Sequence, residues 1–462
     1  MEDASQTPNV LQYSAIKPMA NPPSALSHVR LIPSTGESYQ PGQNIRIPIG
    51  LPQDSLADMN RAFITYKITN KSTLPAGGTS GDNTAYLDPQ IGGVSVIDIF
   101  RVVSGTGSLL DETIQYGNYV GCLYTHDGIQ HANTTRNIMA RSSGTAQTAD
   151  SIGTSTTASP NEGVANPDAN GAARESILTN GSAYITHYPC SSVFKADKLL
   201  PFSFAQGISY VDITLAQATA AFCFKTSYTG TPDWTISDVK LHVPILQLPS
   251  DFASSFRQLL ASGIPVQVHS VAAQNTQQAL ASGGGSIVST FASRKRSVKA
   301  LLLNARKSSD LTSQKADSMT CRRCLGVTNF DFTIGGVRMP STQIELAAAS
   351  KKFGEALAHT NQALGHTSTL NGICATDDNY YQATDNGNNG SKIVYGLDLE
   401  SYKDTISGYN LSGNGLPIVW NALGGAGTAN ANVDSSCILS LYVIHDVMFS
   451  IDGISGTMSA SS

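Results

Sequence analysis

The segment Asn329–Glu345, NFDFTIGGVRMPSTQIE, decides how this chain is read. Phe330, Phe332 and Ile334 alternate with polar residues, the period of a strand that lays one face on a core. Gly335-Gly336 then supplies a tight turn, because glycine takes positive φ without a steric penalty. Past the turn, Pro340 precedes Thr342, with Glu345 three residues later, which fits a capping box at a helix entrance. The spacing predicts a helix over 342–364.

Outward from this segment the same succession recurs, and the chain reads as one design used twice. In the first half, RAFITYKIT (61–69) alternates as a half-buried strand, and VSVIDIFRVVSG (94–105) is a near-continuous β-branched run suited to a core. SLLDETIQYGNYVGCLY (108–124) passes from strand to short helix. SAYITHYPC, KADKLLPFSF, SYVDITLAQATAAFCFKT and DWTISDVKLHVPILQLP then alternate as antiparallel strands do. SDFASSFRQLLASG (250–263) places Phe252, Phe256, Leu259 and Leu260 on one helical face, and Gly263 with Pro265 ends it. The second half runs through IPVQVHSVAAQ, GGSIVSTF, SVKALLLNARKSS, the opening segment, KIVYGLDLES, the Gly-rich ISGYNLSGNGLPIVWNALGG and CILSLYVIHDVMFSID. The expected organisation is a flexible arm over 1–25, a first β-domain over 26–249, a connecting helix over 250–263 and a second β-domain over 264–462. Uncharged loops are expected over 132–182 and 365–391, and loops of that length are functional or disordered.

The composition is that of a folded protein, but only 14% of the 462 residues are charged, against about 25% usually. Low charge weakens the self-repulsion that keeps monomers apart and suits surfaces that become buried in an assembly. The net charge of −5 is uneven: 257–338 holds 11 Lys and Arg against three acids, leaving the remainder at −13. Arg294, Lys295, Arg296, Lys299, Arg306 and Lys307 are the candidate contacts to a packaged genome or to neighbouring copies, since clustered cations neutralise phosphates. The alternative is a sheet edge whose positive charge discourages strand addition.

Chemistry is sparsely represented. The seven cysteines make no disulfide framework, and Cys321-x-x-Cys324 lacks the second ligand pair of a zinc site. Nine histidines are scattered, and His126 with His131 lacks a third ligand. His445 and Asp446 are neighbours on a strand and face opposite ways. Asp111 with Glu112 and Asp377 with Asp378 are adjacent pairs, whereas a glycosidase needs two carboxylates across a cleft. Asp377, Asp378 and Asp385 could hold calcium in a polar loop. No phosphate-binding glycine motif, secretory leader or membrane-spanning run is visible, so no cofactor, no enzymatic activity and no membrane span are expected. The sequons at Asn70, Asn133, Asn180, Asn389 and Asn410 are expected to be silent.

An ordered set of pieces resembles a known family. SYQPGQNIRIPIG (38–50), IDIFRVVSGTGSLLDETIQYGNYVGCLY (97–124), SVKALLLNARKS (297–308), NFDFTIGGVRMPSTQIE (329–345), YGLDLES (395–401) and LYVIHDVMFSIDG (441–453) are similar, in order, to the double jelly-roll major capsid proteins of the adenovirus and tailless-phage lineage. The likeness is greatest to virophages and Polinton-like or adinto-like viruses. The chain departs from the family's pattern in Val337-Arg338-Met339-Pro340, where an aromatic commonly precedes the proline. The resemblance implies an all-β fold with a few short helices, two antiparallel eight-stranded jelly rolls side by side. It implies homotrimers that tile an icosahedral shell around double-stranded DNA, made in the host cytoplasm or nucleus, with penton and minor capsid proteins as partners and packaged DNA on the inner face. A virion spike, fibre or carbohydrate-binding surface module is the second reading, and a β-sandwich glycoside hydrolase the third.

Overall fold

The computed structural model describes residues 25–74, 83–88, 90–125, 137–142, 176–224, 228–263, 265–280, 286–314, 318–320, 322–347, 350, 352–365, 393–401, 408–412, 416–424 and 437–462. The expected arm up to residue 24, all but 137–142 and 176–182 of the loop at 132–182, and all but Gly365 of the loop at 365–391 fall outside these residues. So do Cys321, His126, His131, Asp377, Asp378 and Asp385.

The first half contributes eight principal strands: β1 (Ala25–Leu31), β2 (Asn44–Pro48), β3 (Phe63–Asn70), β4 (Ile97–Val103), β5 (Leu109–Ile114), β6 (Ser182–His187), β7 (Tyr210–Leu215) and β8 (Trp234–Gln247). They form two antiparallel sheets, ordered β1-β8-β3-β6 and β2-β7-β4-β5. The second half contributes β9 (Val266–Leu280), β10 (Ser286–Phe291), β11 (Val298–Lys307), β12 (Val327–Ile334), β13 (Val337–Glu345), β14 (Tyr395–Asp398), β15 (Ile418–Gly424) and β16 (Cys437–Ile451). Their orders are β9-β16-β11-β14 and β10-β15-β12-β13. Shifting the labels by eight superposes one pattern on the other. Each half is an eight-stranded jelly roll, two sheets wrapped face to face so that few strand edges remain open.

Alternation builds each interior. Ile64, Tyr66 and Ile68 of β3 point inward, with Trp234 and Ile236 of β8, while the intervening residues of β3 are half-exposed. In the second roll Phe330, Phe332 and Ile334 meet Trp420 and Tyr395, with Phe330 and Tyr395 edge to face at 4.9 Å. Each such side chain taken fully from water stabilises by about 1.5–3 kcal/mol.

Strand direction alternates along the chain, so the connections 71–96, 115–181 and 216–233 leave one end of the first roll, and 49–62, 104–108 and 188–209 the other. The second roll stands the same way up. Near the long-connection end, Thr320 Oγ1 donates to Asp88 (2.6 Å) and Phe224 N–H to Gln314 O (2.8 Å). At the short-turn end, Gln206 N–H donates to Gly456 O (2.8 Å).

Among the described residues three helices of ten or more residues punctuate the strands: α1 (Tyr116–Thr125), α2 (Ser250–Ala261) and α3 (Gly354–Ala363). Two expectations are corrected here. Residues 337–345 are strand β13, paired with β12 across the Gly335-Gly336 hairpin, and the helix expected from 342 begins at Gly354. Register with β12 outweighs the capping pattern, and Pro340 is tolerated because β13 is an edge strand. On α2, the buried face is Ala253 and Leu260, with Phe256 edge-on to Phe204 at 4.8 Å; Phe252 and Leu259 point to solvent.

Candidate assembly surfaces and the seam between the rolls

The second roll's sheet β9-β16-β11-β14 is covered on both sides. Leu301, Leu303, Leu439 and Leu441 face the roll's own core. Ala300, Leu302, Tyr442 and Ile444, from the opposite face, pack against Tyr119 and Cys122 of α1, which belongs to the first roll. Burial on both faces is why LLLNA (301–305) and LYVI (441–444) run without alternation, as strands covered on both sides do.

The seam is polar at its centre. Asn118 Nδ2 donates to the Tyr442 hydroxyl at 2.9 Å and to Asn304 Oδ1 at 3.3 Å. Arg306, 1% exposed, donates through Nη1 to Ser318 O at 3.0 Å and through Nη2 to Gln115. Burial pulls its guanidinium below the ordinary value, partly opposed by Tyr442, Cys122 and Asp98. Ser270 Oγ donates to Ser192 O (2.6 Å) and Asp197 N–H to His269 O (3.1 Å), tying β9 to the first roll.

A strap between β11 and β12 locks the seam. Met319 belongs to the core cluster built mainly from the first roll, and with Ile91 it lies against Gly117. The closeness explains two glycines on α1 that helix propensity alone disfavours by about 1 kcal/mol each. A Cβ at Gly121 would stand 2.8 Å from Thr320 Cγ2 and 3.0 Å from Arg322 Nη2, and one at Gly117 3.1 Å from Met319 Cγ.

The basic residues singled out above are not one surface. Arg294, Lys295 and Arg296 occupy the β10–β11 turn at the short-turn end, where Arg294 and Arg296 are exposed and Lys295 Nζ donates to Ser462 Oγ at 2.8 Å. Lys299 is held by Glu400 (2.7 Å) and Asp446 (3.4 Å). Arg306 lies inside the seam, so it offers nothing to an external partner, and Lys307 sits beside it at the far end of β11. Ten residues of strand separate Arg296 from Arg306, roughly 30 Å. In sequence the six cations read as one cluster, because sequence shows charge but not which face the second roll turns inward.

Other sites thin out on inspection. Among the described residues no group of three His, Cys, Asp or Glu side chains is placed to hold a metal, and no helix is long and apolar enough to cross a membrane. Cys324 is buried. Asp111 is committed to Ser191 Oγ (2.5 Å) and Ser192 N–H (2.6 Å), while Glu112 pairs with Arg101. Asn70 is buried, its amide donating to Asn83 O and Ile177 O at 2.9 Å, so no glycan fits there.

Among the described residues the corresponding face of the first roll is left open. Phe63, Thr65 and Lys67 of β3 are half-exposed there, Phe63 stacked on His242 at 4.5 Å, and Lys67 stands 5.8 Å over the ring of Tyr184, which is 61% exposed.

Solved structures carry this arrangement almost end to end. The chain matches the PBCV-1 virus capsid with a TM-score of 0.57 and 10% identity, over 95% of this chain and 97% of that one. It folds as viral major capsid proteins fold, as a double jelly roll. The Faustovirus major capsid protein matches with a TM-score of 0.56 and 10% identity over 96% of this chain and 92% of its own. A chain of the Sputnik virophage matches with 0.54 and 12% identity over 100% and 93%. No family model and no curated protein sequence matches. At these identities the double jelly roll is what is shared, through strand order and burial instead of particular residues.

Proposed function

We propose that the chain is the major capsid protein of an icosahedral double-stranded DNA virus, resident in the virion, that assembles as pseudo-hexagonal trimers tiling the shell. The observation that carries this is the inequivalence of two equivalent faces. The outer face of β9-β16-β11-β14 is covered by α1 of the first roll, whereas among the described residues the same face of β1-β8-β3-β6 is open. A second copy's second roll, presenting α3 where the first presents α1, would cover it. Repeated head to tail, such a heterologous contact closes into a ring when its rotation permits, and three chains would give six rolls.

In this reading the long connections, with 132–182 and 365–391, face outward, and the short-turn end, with the arm 1–25 and Arg294, Lys295 and Arg296, faces the packaged DNA. Penton and minor capsid proteins would complete the shell. The role is structural, without turnover.

The test is the solution mass of the purified chain by light scattering, followed by negative-stain microscopy. A particle of three times 48.6 kDa with a hexagonal outline supports the proposal; a monomer at micromolar concentration rejects it. Tyr184→Asp with Phe63→Asp should convert trimer to monomer without unfolding. Arg294→Glu with Arg296→Glu should leave the trimer intact and lower DNA packaging; unchanged packaging would remove the genome-side assignment.

A further inference from the structure

Helix α2 joins the two rolls and turns an apolar stripe to solvent. Phe252 and Leu259 stand seven residues apart, two turns on the same face, and are 53% and 41% exposed. Phe256, between them, leans on Phe204 of the first roll. The stripe runs on into the second roll, since a Cβ at Gly263 would lie 3.9 Å from Ile454 Cδ1. Ile454 is 85% exposed, its N–H donating to Asp452 Oδ1 at 3.0 Å in the turn after β16. Single exposed apolar residues are ordinary, but a contiguous row of large ones marks a surface that something covers.

The chain itself brings a cover to this place. β1 starts at Ala25, whose partner on β8 is Gln247, three residues before α2 begins. Residues 1–24 therefore join the first roll within roughly 15 Å of the helix's first residue, one strand spacing plus three extended residues. Next to β1 comes KPMANPPS (17–24), where Pro18, Pro22 and Pro23 favour an extended course of roughly 25 Å. α2, with 12 residues, is about 18 Å long. Before that spacer stands NVLQYSAI (9–16), which carries Val10, Leu11, Tyr13 and Ile16 and no charge.

We infer that the segment Val10–Ile16 docks on the stripe of Phe252, Leu259 and Ile454 of its own chain, a clasp that holds α2 against both rolls from outside. The spacer is long enough to carry the segment along the whole helix. The tether favours the chain's own segment over a neighbour's: a short linker presents it at an effective concentration on the order of millimolar, so a contact too weak to join two chains still closes within one. Segment and stripe are both apolar, so the contact is hydrophobic in origin. It lies within one chain and does not depend on capsid assembly.

The experiment places the photo-cross-linker p-benzoylphenylalanine at Tyr13 of the full chain, irradiates it and reads the digest by mass spectrometry. The expected result is an adduct to 250–263 or to the 452–457 turn, in a band that stays at the 48.6 kDa of one chain. Phe252→Ser with Leu259→Ser should abolish that adduct; both side chains are exposed, so the fold is kept. Gln258→Ser, on the opposite side of α2, should leave it unchanged. As a second measurement, Leu11→Asp with Ile16→Asp should raise hydrogen exchange in α2 several-fold while β4 stays protected. Adducts elsewhere on the surface, adducts that join two chains, an undiminished yield in the double serine variant, or α2 exchange unchanged by the two aspartates would overturn the inference.

Discussion

Asn118 of the first roll and Tyr442 of the second share a hydrogen bond of 2.9 Å across a seam from which both side chains see no solvent. Tyr442 passes its own proton to Gln115 O at 3.2 Å, so one amide and one phenol fix the relative position of α1 and β16. Asn118→Ala should destabilise the chain by about 1–3 kcal/mol, the cost of leaving buried partners unpaired. The denaturant midpoint should fall at unchanged slope. Adding Tyr442→Phe should cost less than the sum of the two single changes, because each removes the other's partner.

The two glycines of α1 should respond differently to the same substitution. At Gly121 the new Cβ meets Thr320 at 2.8 Å, and overpacking costs about 1–3 kcal/mol, more than alanine's gain in helix propensity. At Gly117 the neighbour is the flexible thioether of Met319, which can give way. Gly121→Ala is expected to lower Tm clearly and Gly117→Ala to leave it nearly unchanged, as differential scanning calorimetry would read.

Acid should loosen the chain through two histidines. His187 is buried, its Nε2 2.5 Å from the Tyr116 hydroxyl, and burial lowers it to about 3; His445 is lowered to about 4 by burial and by Lys295. Both are neutral when folded and titrate near 6.5 when unfolded. The unfolded chain therefore binds more protons below 6.5, and stability present above that pH is lost as pH falls toward 4 and then 3. Each histidine contributes up to about 1.4 kcal/mol per pH unit within its window. Urea midpoints between pH 7.5 and 4.5 should fall, and His445→Gln should flatten the decline.

Asp331 pins strand β13. Its carboxylate, with no exposed side-chain surface, accepts from Asn421 Nδ2 (2.8 Å) and Gln343 Nε2 (2.9 Å), with Arg338 Nε 3.4 Å away. Asp331→Ala should speed hydrogen exchange across 337–345 while β16 stays protected. Equal protection in both strands would show that the backbone ladder alone holds β13.

The strands were legible because the period of two survives wherever one face is wet, as in Phe63–Asn70, or polar, as in Asn329–Ile334. Legibility failed where context decides. Pro340, Thr342 and Glu345 satisfy the local grammar of a helix entrance, but β12 offers a ladder that no local pattern reveals. Phe252 and Leu259 fall with Phe256 on one side of a helical projection, yet the groove beneath α2 takes Ala253, Phe256 and Leu260. Arg306 was misplaced for the same reason, although a signal was present: LLLNA carries no polar alternation, and a strand lacking it has no wet face on which a charged neighbour can stand. The seam itself, built from Gln115, Asn118, Ser270 and Asn304, had no signature, since polar residues of this kind populate loops and surfaces as readily.

Met319 joins the core cluster of a roll whose last principal strand ends at Gln247, as do Val268, Val447 and Phe449 of the second roll. The order of synthesis therefore matters. When β8 leaves the ribosome, the first roll has all its strands but lacks a side chain that lies more than seventy positions further along the chain. Part of its apolar packing therefore comes from residues made later, so a nascent first half is expected to carry uncovered surface that a folding helper or a premature neighbour would meet.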